Sequence, residues 1–437
     1  MTLRIIGEGL DALTFASALV RRGVAFEWLV KHDRFGGFFR GGQDCQGKPI
    51  DLGMVCLEPN HYGAPQSEIN TFAGESGQSA RPFINSAYQL LNEMVGEYEL
   101  VDTKSQDNYR ENTDDYFLSD RLFAFKKQAN EIKVELEERV NWLEYHPEWH
   151  PRFKLNPDSV LLSTNIPDAM ITLYGRTFYN LFFKDYLENC LGELMQSIPA
   201  SEHRKAWIPL YWPETILKYL SEEGGNEPLF QPVFARFSDM SISEWSSQML
   251  QEIVAYKKKE IILLDGELDY RNLNLGSENV YAFLDSSKLH TNSNTGFQSP
   301  VLNAVRITIV HFCCAVSSSL VIFLRDDESG SYRFSLTPGD ALAKGKISIE
   351  FGENSADLSE EEILRKSMEL CHRNGITVEC IGKIHRGKLQ VNNTSQDSTR
   401  NTMFMARNKQ AIFSSGATSF NDNIIRATWA IDNENRK

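Results

Sequence analysis

A chain of 437 residues exceeds the size at which one hydrophobic core usually keeps growing, so two interleaved domains are expected. Its apolar fraction of 41% is enough to fill both. Forty-five basic against 59 acidic residues leave a formal charge of −14, which argues against a nucleic-acid partner, since that needs a basic face.

Met1 to Ile6 enters a strand pattern at once, without the basic stretch, apolar core and cleavage site of a secretory signal. The run Leu3 to Ile6 breaks at Gly7. Apolar residues then recur at helical spacing from Leu10 to Val20, until Arg21-Arg22-Gly23 closes the segment, and Val24 to Val30 reads as a second strand. Strand, glycine turn, helix and strand within about 30 residues make the βαβ unit of a parallel sheet. The stretch Gln66 to Asp115 is polar, with a helix expected near Ser86 to Glu97. From Asp115 to about Leu220 the pattern is helical and aromatic, with Tyr174, Phe178, Tyr179, Phe182, Phe183 and Tyr186 clustered. These rings are expected to be mainly core, because they bury large apolar area wherever they pack.

Strand patterns return at Glu260 to Leu264, Val280 to Leu284, Arg306 to Ala315, Ser319 to Leu324, Ser331 to Leu336 and Lys346 to Phe351. The longest apolar run, Val305 to Phe323, carries Arg306, His311 and several serines, so no integral membrane segment is expected. Ser359 with Glu362 three residues later is a capping box that opens a helix to His372. Gln390 to Asn401 is expected to be a surface loop, followed by a last strand at Gln410 to Phe413 and a final helix. The fold class expected is α/β: a Rossmann-type domain with an inserted substrate domain of helices and mixed sheet. Residues 1–65, 225–290 and 400–437 would form the first, and residues 66–224 and 291–399 the second.

Gly7-Glu8-Gly9-Leu10-Asp11-Ala12 is a G-x-G-x-x-A turn between a strand and a helix at the amino terminus. Its first glycine serves the tight turn, its second a close approach to a pyrophosphate, and its small third residue the packing of helix on strand. The helix amides then face the phosphates. A strand-turn-helix connection can also use glycine for geometry alone, so the turn by itself leaves the ligand open. The acidic residue that would hold the adenosine ribose falls at Val30, where none is present. Lys31 beside it is either a phosphate or ribose contact or a solvated strand end.

Asp33-Arg34-Phe35-Gly36-Gly37, just after the second strand, resembles the D-R-x-G-G signature of flavin amine oxidases, protoporphyrinogen oxidase-like proteins and UDP-galactopyranose mutases. Ile50-Asp51-Leu52-Gly53 is similar to the segment that follows in those FAD-binding families. Ile412 to Ala417, with Asn421 to Ile424 and a helix, resembles their carboxyl-terminal flavin motif, although Ala417 stands where an Asp is usual. Arg follows the glycine pair only at Arg40, after Phe38-Phe39. The resemblance implies FAD as cofactor, contacted by Gly7, Gly9, Leu10, Ala12, Lys31, Arg34, Gly36, Gly37, Arg40, Gly53, Met54, Gly416, Asn423 and Ile424. A looser similarity over Phe178 to Pro213 implies Tyr211 and Trp212 as a substrate wall.

Three functional classes follow. The first is an FAD-dependent oxidoreductase in which a small-molecule substrate gives hydride to flavin N5, a step the cofactor itself performs. The second is a mutase-like, non-redox reaction on a sugar nucleotide, for which Arg176, Arg204 and Arg333 are the available cations. The third is a non-catalytic flavoprotein-like fold, motivated by Val30 and Ala417. No metal is expected: His311 and Cys313 share a strand face from which Cys314 points away, and this reads as buried structure. His146, His150 and His203 are dispersed and lack an H-E-x-x-H pattern. Ser317-Ser318-Ser319 reads as part of an apolar strand region without a nucleophile turn. Seven cysteines without C-x-x-C pairs fit a reducing cytoplasm.

Overall fold

The computed structural model describes residues 2–30, 35–43, 47, 49–53, 56, 98–106, 129–151, 160–161, 164–206, 208, 210, 212–221, 234–237, 240–264, 280–285, 302–316, 318–324, 329–338, 345–392, 412–414, 424, 427–428, 430–431 and 434. The chain begins with β1 (Leu3–Ile6), α1 (Leu10–Arg21) and β2 (Phe26–Val30), and β1 and β2 pair in parallel from Leu3 opposite Phe26 to Ile6 opposite Leu29. The helix ends because Gly23 takes φ +71°, a left-handed conformation that costs glycine little. The second strand starts at Phe26, two residues later than the apolar pattern suggests, because Val24 is spent on the turn and donates to Leu19 O.

Beyond the turn come a short 3-10 segment (Gly37–Arg40) and a small hairpin of β3 (Gly42–Gln43) and β4 (Pro49–Ile50). Then follow β5 (Tyr98–Gln106), α2 (Ala129–Tyr145), α3 (Ile166–Tyr174), α4 (Arg176–Phe182), α5 (Lys184–Leu191), α6 (Pro213–Ser221), β6 (Phe234–Phe237) and α7 (Ile242–Ala255). The remaining elements are β7 (Lys259–Leu263), β8 (Val280–Asp285), β9 (Leu302–Cys314), β10 (Leu320–Leu324), β11 (Ser331–Thr337), β12 (Gly345–Phe351), α8 (Glu360–Arg373), β13 (Val378–Asn392) and β14 (Ile412–Ser414).

Two large sheets organise these elements. The first has the order β14-β8-β1-β2-β7, and its four strand pairings are all parallel. Its core joins Phe15 of α1, Trp28, Trp245 of α7, Tyr281, Phe283 and Ile424. The second is mixed, in the order β13-β9-β12-β11-β10-β5-β6. Strand alternation gives it two unlike faces. Val310, Phe312, Ile322, Phe334, Ile347 and Ile349 pack with Ile363 and Leu370 of α8 on one side. The helical elements form a third core, in which Tyr174, Phe178, Phe182, Phe183 and Tyr186 are buried with Val321, Phe323 and Tyr332 of the second sheet. The aromatic cluster is thus core, as its spacing suggests.

The capping box is present: Glu362 N donates to Ser359 Oγ, and Ser359 N donates to the Glu362 carboxylate at 2.9 Å. Two strands depart from the sequence reading. Tyr98–Gln106 lies in the stretch read as polar, just beyond the expected helix, and Val378–Asn392 runs past Gln390 into the expected loop. Both are rich in charged and polar residues, which hide the period of a strand whose partners come from far along the chain. Ser318 and Ser319 lie in the connection between β9 and β10, not in a strand, because the apolar run is divided by this turn. Phe234–Phe237 belongs to the mixed sheet, paired with β5. The helix expected near Ser86 to Glu97 lies outside the described residues. Among the described residues no helix is long and apolar enough to cross a membrane, and no three His, Cys, Asp or Glu residues are grouped to hold a metal ion.

Candidate functional site: a glycine junction against a polar sheet face

The turn after β1 is built by exclusion. Gly7 has φ +124°, and a Cβ there would fall 2.1 Å from the carbonyl oxygen of Phe283 on β8. Its amide donates to Leu29 O at 3.1 Å, and its carbonyl accepts from Trp28 Nε1 at 2.8 Å. Two neighbouring strands, β2 and β8, therefore fix the point where the chain leaves β1. Gly9 is the N-cap of α1, extended at φ −67° and ψ 173°, and no side chain caps the helix there. Leu10 and Ala12 are buried against the sheet.

The two glycine motifs meet. Gly36 N donates to Glu8 O at 2.8 Å, Gly9 and Gly36 form a parallel bridge, and a Cβ on Gly37 would lie 3.6 Å from Gly9 Cα. Gly36 and Gly37 have φ of +86° and +58°, conformations that a side chain rarely adopts. The helix amino end is thus lined by main chain. Acidic groups are nearby as well: Asp11, almost fully buried, accepts from Ala12 N at 2.9 Å and so occupies one first-turn amide. Val30 is wholly buried and its carbonyl accepts from Leu264 N at 2.8 Å, so this strand end is packed rather than open to a ribose.

From Gly37 the chain runs along α7. Arg40 is exposed, and its carbonyl accepts from Ser243 Oγ. Asp51 accepts from Ser243 N at 2.8 Å and Ile242 N at 3.2 Å, which caps α7 and ties down the hairpin. Although the residue keeps some surface, its carboxylate is enclosed. Burial pushes the Asp51 pKa up to about 6, and the two amide bonds offset this only in part.

The segment then meets the second sheet. A Cβ on Gly42 would lie 3.0 Å from Leu52 Cδ2 and 3.1 Å from His385 Cε1, and one on Gly53, whose φ is +74°, would lie 2.8 Å from the Glu350 carboxyl group. The face met here is the side of the mixed sheet turned away from α8. Its cross-strand pairs include Arg333 with Glu350, Ser335 with Ser348, His311 with Ser348, and Ile309 with His385.

Arg333 and Glu350 form a buried, two-pronged ion pair: Nε to Oε1 is 2.9 Å, Nη2 contacts Oε2, and the side chains keep 4% and 3% of their surface. Tyr332 OH donates to Glu350 at 2.8 Å. Burial works against the Arg333 charge, but the Glu350 carboxylate more than restores it, and its pKa lies above the usual value. The pair is neutral as a unit.

Beside it, His311 Nδ1 and Ser348 Oγ are 2.9 Å apart, and the rings of His311 and His385 meet edge to face with centroids 5.3 Å apart. Burial, then His385 and Lys346, pull the His311 pKa down to about 3, and burial lowers that of His385.

The sequence-derived residues divide clearly. Gly7, Gly9, Leu10, Ala12, Gly36 and Gly37 come together, with Arg40 and Gly53 on the segment that leads away. Ile424 is buried in the core under the parallel sheet, and β14 pairs with β8, which itself pairs with β1. Trp212 packs edge to face on His150, whose Nε2 is 2.7 Å from Glu214 Oε1, on the helical side. Arg333 sits in the ion pair just described. Lys31, Arg34, Met54, Tyr211, Gly416, Ala417 and Asn423 lie outside the described residues, while Arg204 falls in the 3-10 segment Ala200–Ala206 and Arg176 is exposed at the start of α4. Sequence reasoning did not single out Glu350, His385, Gly42 or Ser243. The polar face had a signal: Lys346, Ser348 and Glu350 alternate with Ile347, Ile349 and Phe351.

Two sheets meeting through a glycine-lined strap define an α/β architecture shared with known oxidoreductases and a mutase. UDP-galactopyranose mutase in its reduced form superposes with a TM-score of 0.56 at 10% identity, covering 100% of this chain and 95% of that one. Putrescine oxidase bound to putrescine gives 0.56 at 11%, covering 100% and 98%. Cyclohexylamine oxidase from Brevibacterium oxydans gives 0.53 at 12%, covering 100% and 99%. The chain therefore has the fold of these proteins over its whole length. No protein-family model matches it, and no curated protein matches it by sequence.

Proposed function

We propose that the chain is an FAD-dependent oxidoreductase of the flavin amine oxidase group, acting on a small molecule. The observation that carries this reading is the junction of Gly9 with Gly36 and Gly37 at the uncapped amino end of α1. The walls there are main chain, and an uncapped helix end favours an anion. Residues 1–65, 225–290 and 400–437 form the nucleotide-binding domain in this reading, and residues 66–224 and 291–399 the substrate domain.

FAD, when bound, supplies a two-electron acceptor that takes hydride at N5 of its ring. This chain's residues would position and enclose. Gly7, Gly9, Leu10 and Ala12 shape the turn, while Gly36 and Gly37, with Arg34 and Lys31, would hold the pyrophosphate and ribose. Arg40, Gly53 and Met54 would follow the cofactor toward the mixed sheet, and Gly416, Asn423 and Ile424 would close from the carboxyl-terminal side. Trp212 and Tyr211 would line the substrate wall, with Arg333 acting on that side through Glu350. No catalytic side chain is required of the protein. A polar face packed against glycine rather than bulky side chains suits a substrate that must lie flat on a ring.

The likeness to UDP-galactopyranose mutase favours a second reading, a non-redox reaction on a sugar nucleotide. It needs cations for a diphosphate, and the Arg333 charge is already neutralised by Glu350. The first reading is therefore preferred. Visible absorption of the purified protein tests it: a yellow protein whose flavin bleaches with an amine such as cyclohexylamine or putrescine and recovers its colour in air is expected. Yellow protein that contracts a sugar-nucleotide ring without net oxidation selects the mutase. Colourless protein that takes up no added FAD overturns both.

A further inference from the structure

The reading above leaves one buried group of side chains unused. Among the described residues, the Nε2 atoms of His311 and His385 are buried without a hydrogen-bond partner. Two neighbouring imidazoles with unmet nitrogens are costly in a folded protein, since each nitrogen gives up water for nothing. His311 keeps only 6% of its surface, and Ser348 fixes its ring through Nδ1. The neighbouring ion pair differs, because Glu350 meets both Arg333 and Tyr332.

Position gives the imidazole pair a meaning. Gly42, which packs on His385, lies five residues beyond Gly37, which packs on Gly9. One short segment thus touches the phosphate turn at one end and the imidazole pair at the other. A ligand anchored by its pyrophosphate at the start of α1 and extended along this segment arrives at His385 and His311.

We propose that His311 and His385 are hydrogen-bonding contacts for the flavin half of the bound dinucleotide, the part beyond the pyrophosphate. This rests on the dinucleotide reading of the glycine junction. The flavin ring and its ribityl chain offer uncharged carbonyls, ring nitrogens and hydroxyls. A neutral imidazole, one nitrogen donating and the other accepting, matches such groups without burying a charge. The low pKa of His311 keeps it neutral across the physiological range.

The full-length protein is titrated with FAD and, separately, with ADP, which carries the pyrophosphate and adenosine but no flavin. His311→Phe and His385→Phe keep the ring volume and remove both nitrogens. Each is expected to weaken FAD about tenfold and to leave ADP affinity unchanged, while His385→Gln retains most of the FAD affinity. Thermal melting serves as the folding control: His385→Phe should melt at or above wild type, because an apolar ring replaces its unmet nitrogen, and His311→Phe slightly below that, because it also gives up the bond to Ser348. Phe variants that bind FAD like wild type, or that lose FAD and ADP equally, overturn the proposal. Wild type that binds FAD no better than ADP overturns it while the phosphate turn stands. Wild type that binds neither refutes the dinucleotide reading and the proposal together.

Discussion

The amino-terminal turn and the polar face of the mixed sheet lie at opposite ends of one short segment and are made of opposite materials. The turn consists of main chain: Gly7, Gly9, Gly36 and Gly37 work because they lack side chains. The sheet face consists of side chains, with Arg333, Glu350, His311 and His385 delivered by four different strands. A site built of backbone is rigid and tolerant of its neighbours' chemistry. One built of buried charges depends on every partner being present. Substitutions should therefore act differently at the two ends.

The largest effect is expected at the turn. Gly7→Ala forces a Cβ onto the Phe283 carbonyl and a left-handed φ onto alanine, at a cost of about 5 kcal/mol. Urea unfolding should show this loss, and a variant within about 1 kcal/mol of wild type would show that the β1-β8 contact is not as close as described. On the sheet face, Glu350→Ala leaves the Arg333 guanidinium buried and uncompensated, which should cost about 3–4 kcal/mol. The double variant Arg333→Met with Glu350→Leu removes both charges and should regain most of that loss. If the double variant is as unstable as the single one, the pair contributes shape rather than charge balance.

The same contrast decides what was legible in the sequence. The turn, its helix and its partner strand could be read because their interactions are local: Gly7 to Ala12 lie between Leu3–Ile6 and Phe26–Val30 in one βαβ unit. The Ser359 capping box was legible for the same reason, since both partners lie within four residues. The pairing of Arg333 with Glu350 depends on the register of β11 on β12, and that of His311 with His385 on β9 against β13. Neither register is written in a local pattern. The β13 strand escaped notice because Glu379, Lys383, His385, Arg386 and Lys388 give it the polarity of a loop. The resemblance implies one cofactor for Gly9 and Gly36, and their direct contact comes from the fold.

Acid and base act at the sheet end through two groups of opposite sign. Asp51, with its pKa raised by burial to about 6, holds a proton in the folded state that the unfolded chain loses. Its contribution is fully present below the ordinary carboxylate pKa and is lost as pH rises through about 6. His311, lowered to about 3 chiefly by burial, contributes above the ordinary imidazole pKa and loses that contribution as pH falls. Between about pH 4 and 6 the Asp51 and His311 slopes oppose, and His385, whose pKa burial also lowers, adds to the His311 side, so stability should fall only gently on acidification. Asp51→Asn removes one slope and should leave stability falling on acidification by up to about 1.4 kcal/mol per pH unit. His311→Phe should leave the reverse trend, a fall as pH rises through the same window. Parallel urea titrations of the three proteins across this range check the signs, and identical profiles would show that neither pKa is shifted by folding.

The smallest effect returns to the turn and separates stability from binding. Asp11 sits in the first turn of α1 and accepts from Ala12 N, so its charge favours the helix by about 0.3–1 kcal/mol. A pyrophosphate at the same helix end would compete for that amide and be repelled by that charge. Asp11→Ala should therefore lower the melting temperature slightly while tightening FAD and ADP alike, by about threefold, because both ligands carry the pyrophosphate. An effect on FAD alone would place Asp11 near the flavin half instead. Weaker binding of both would mean that the carboxylate organises the turn more than it opposes the ligand. Backbone geometry would then be only half of what the glycine junction needs, and the contrast between the two ends would narrow.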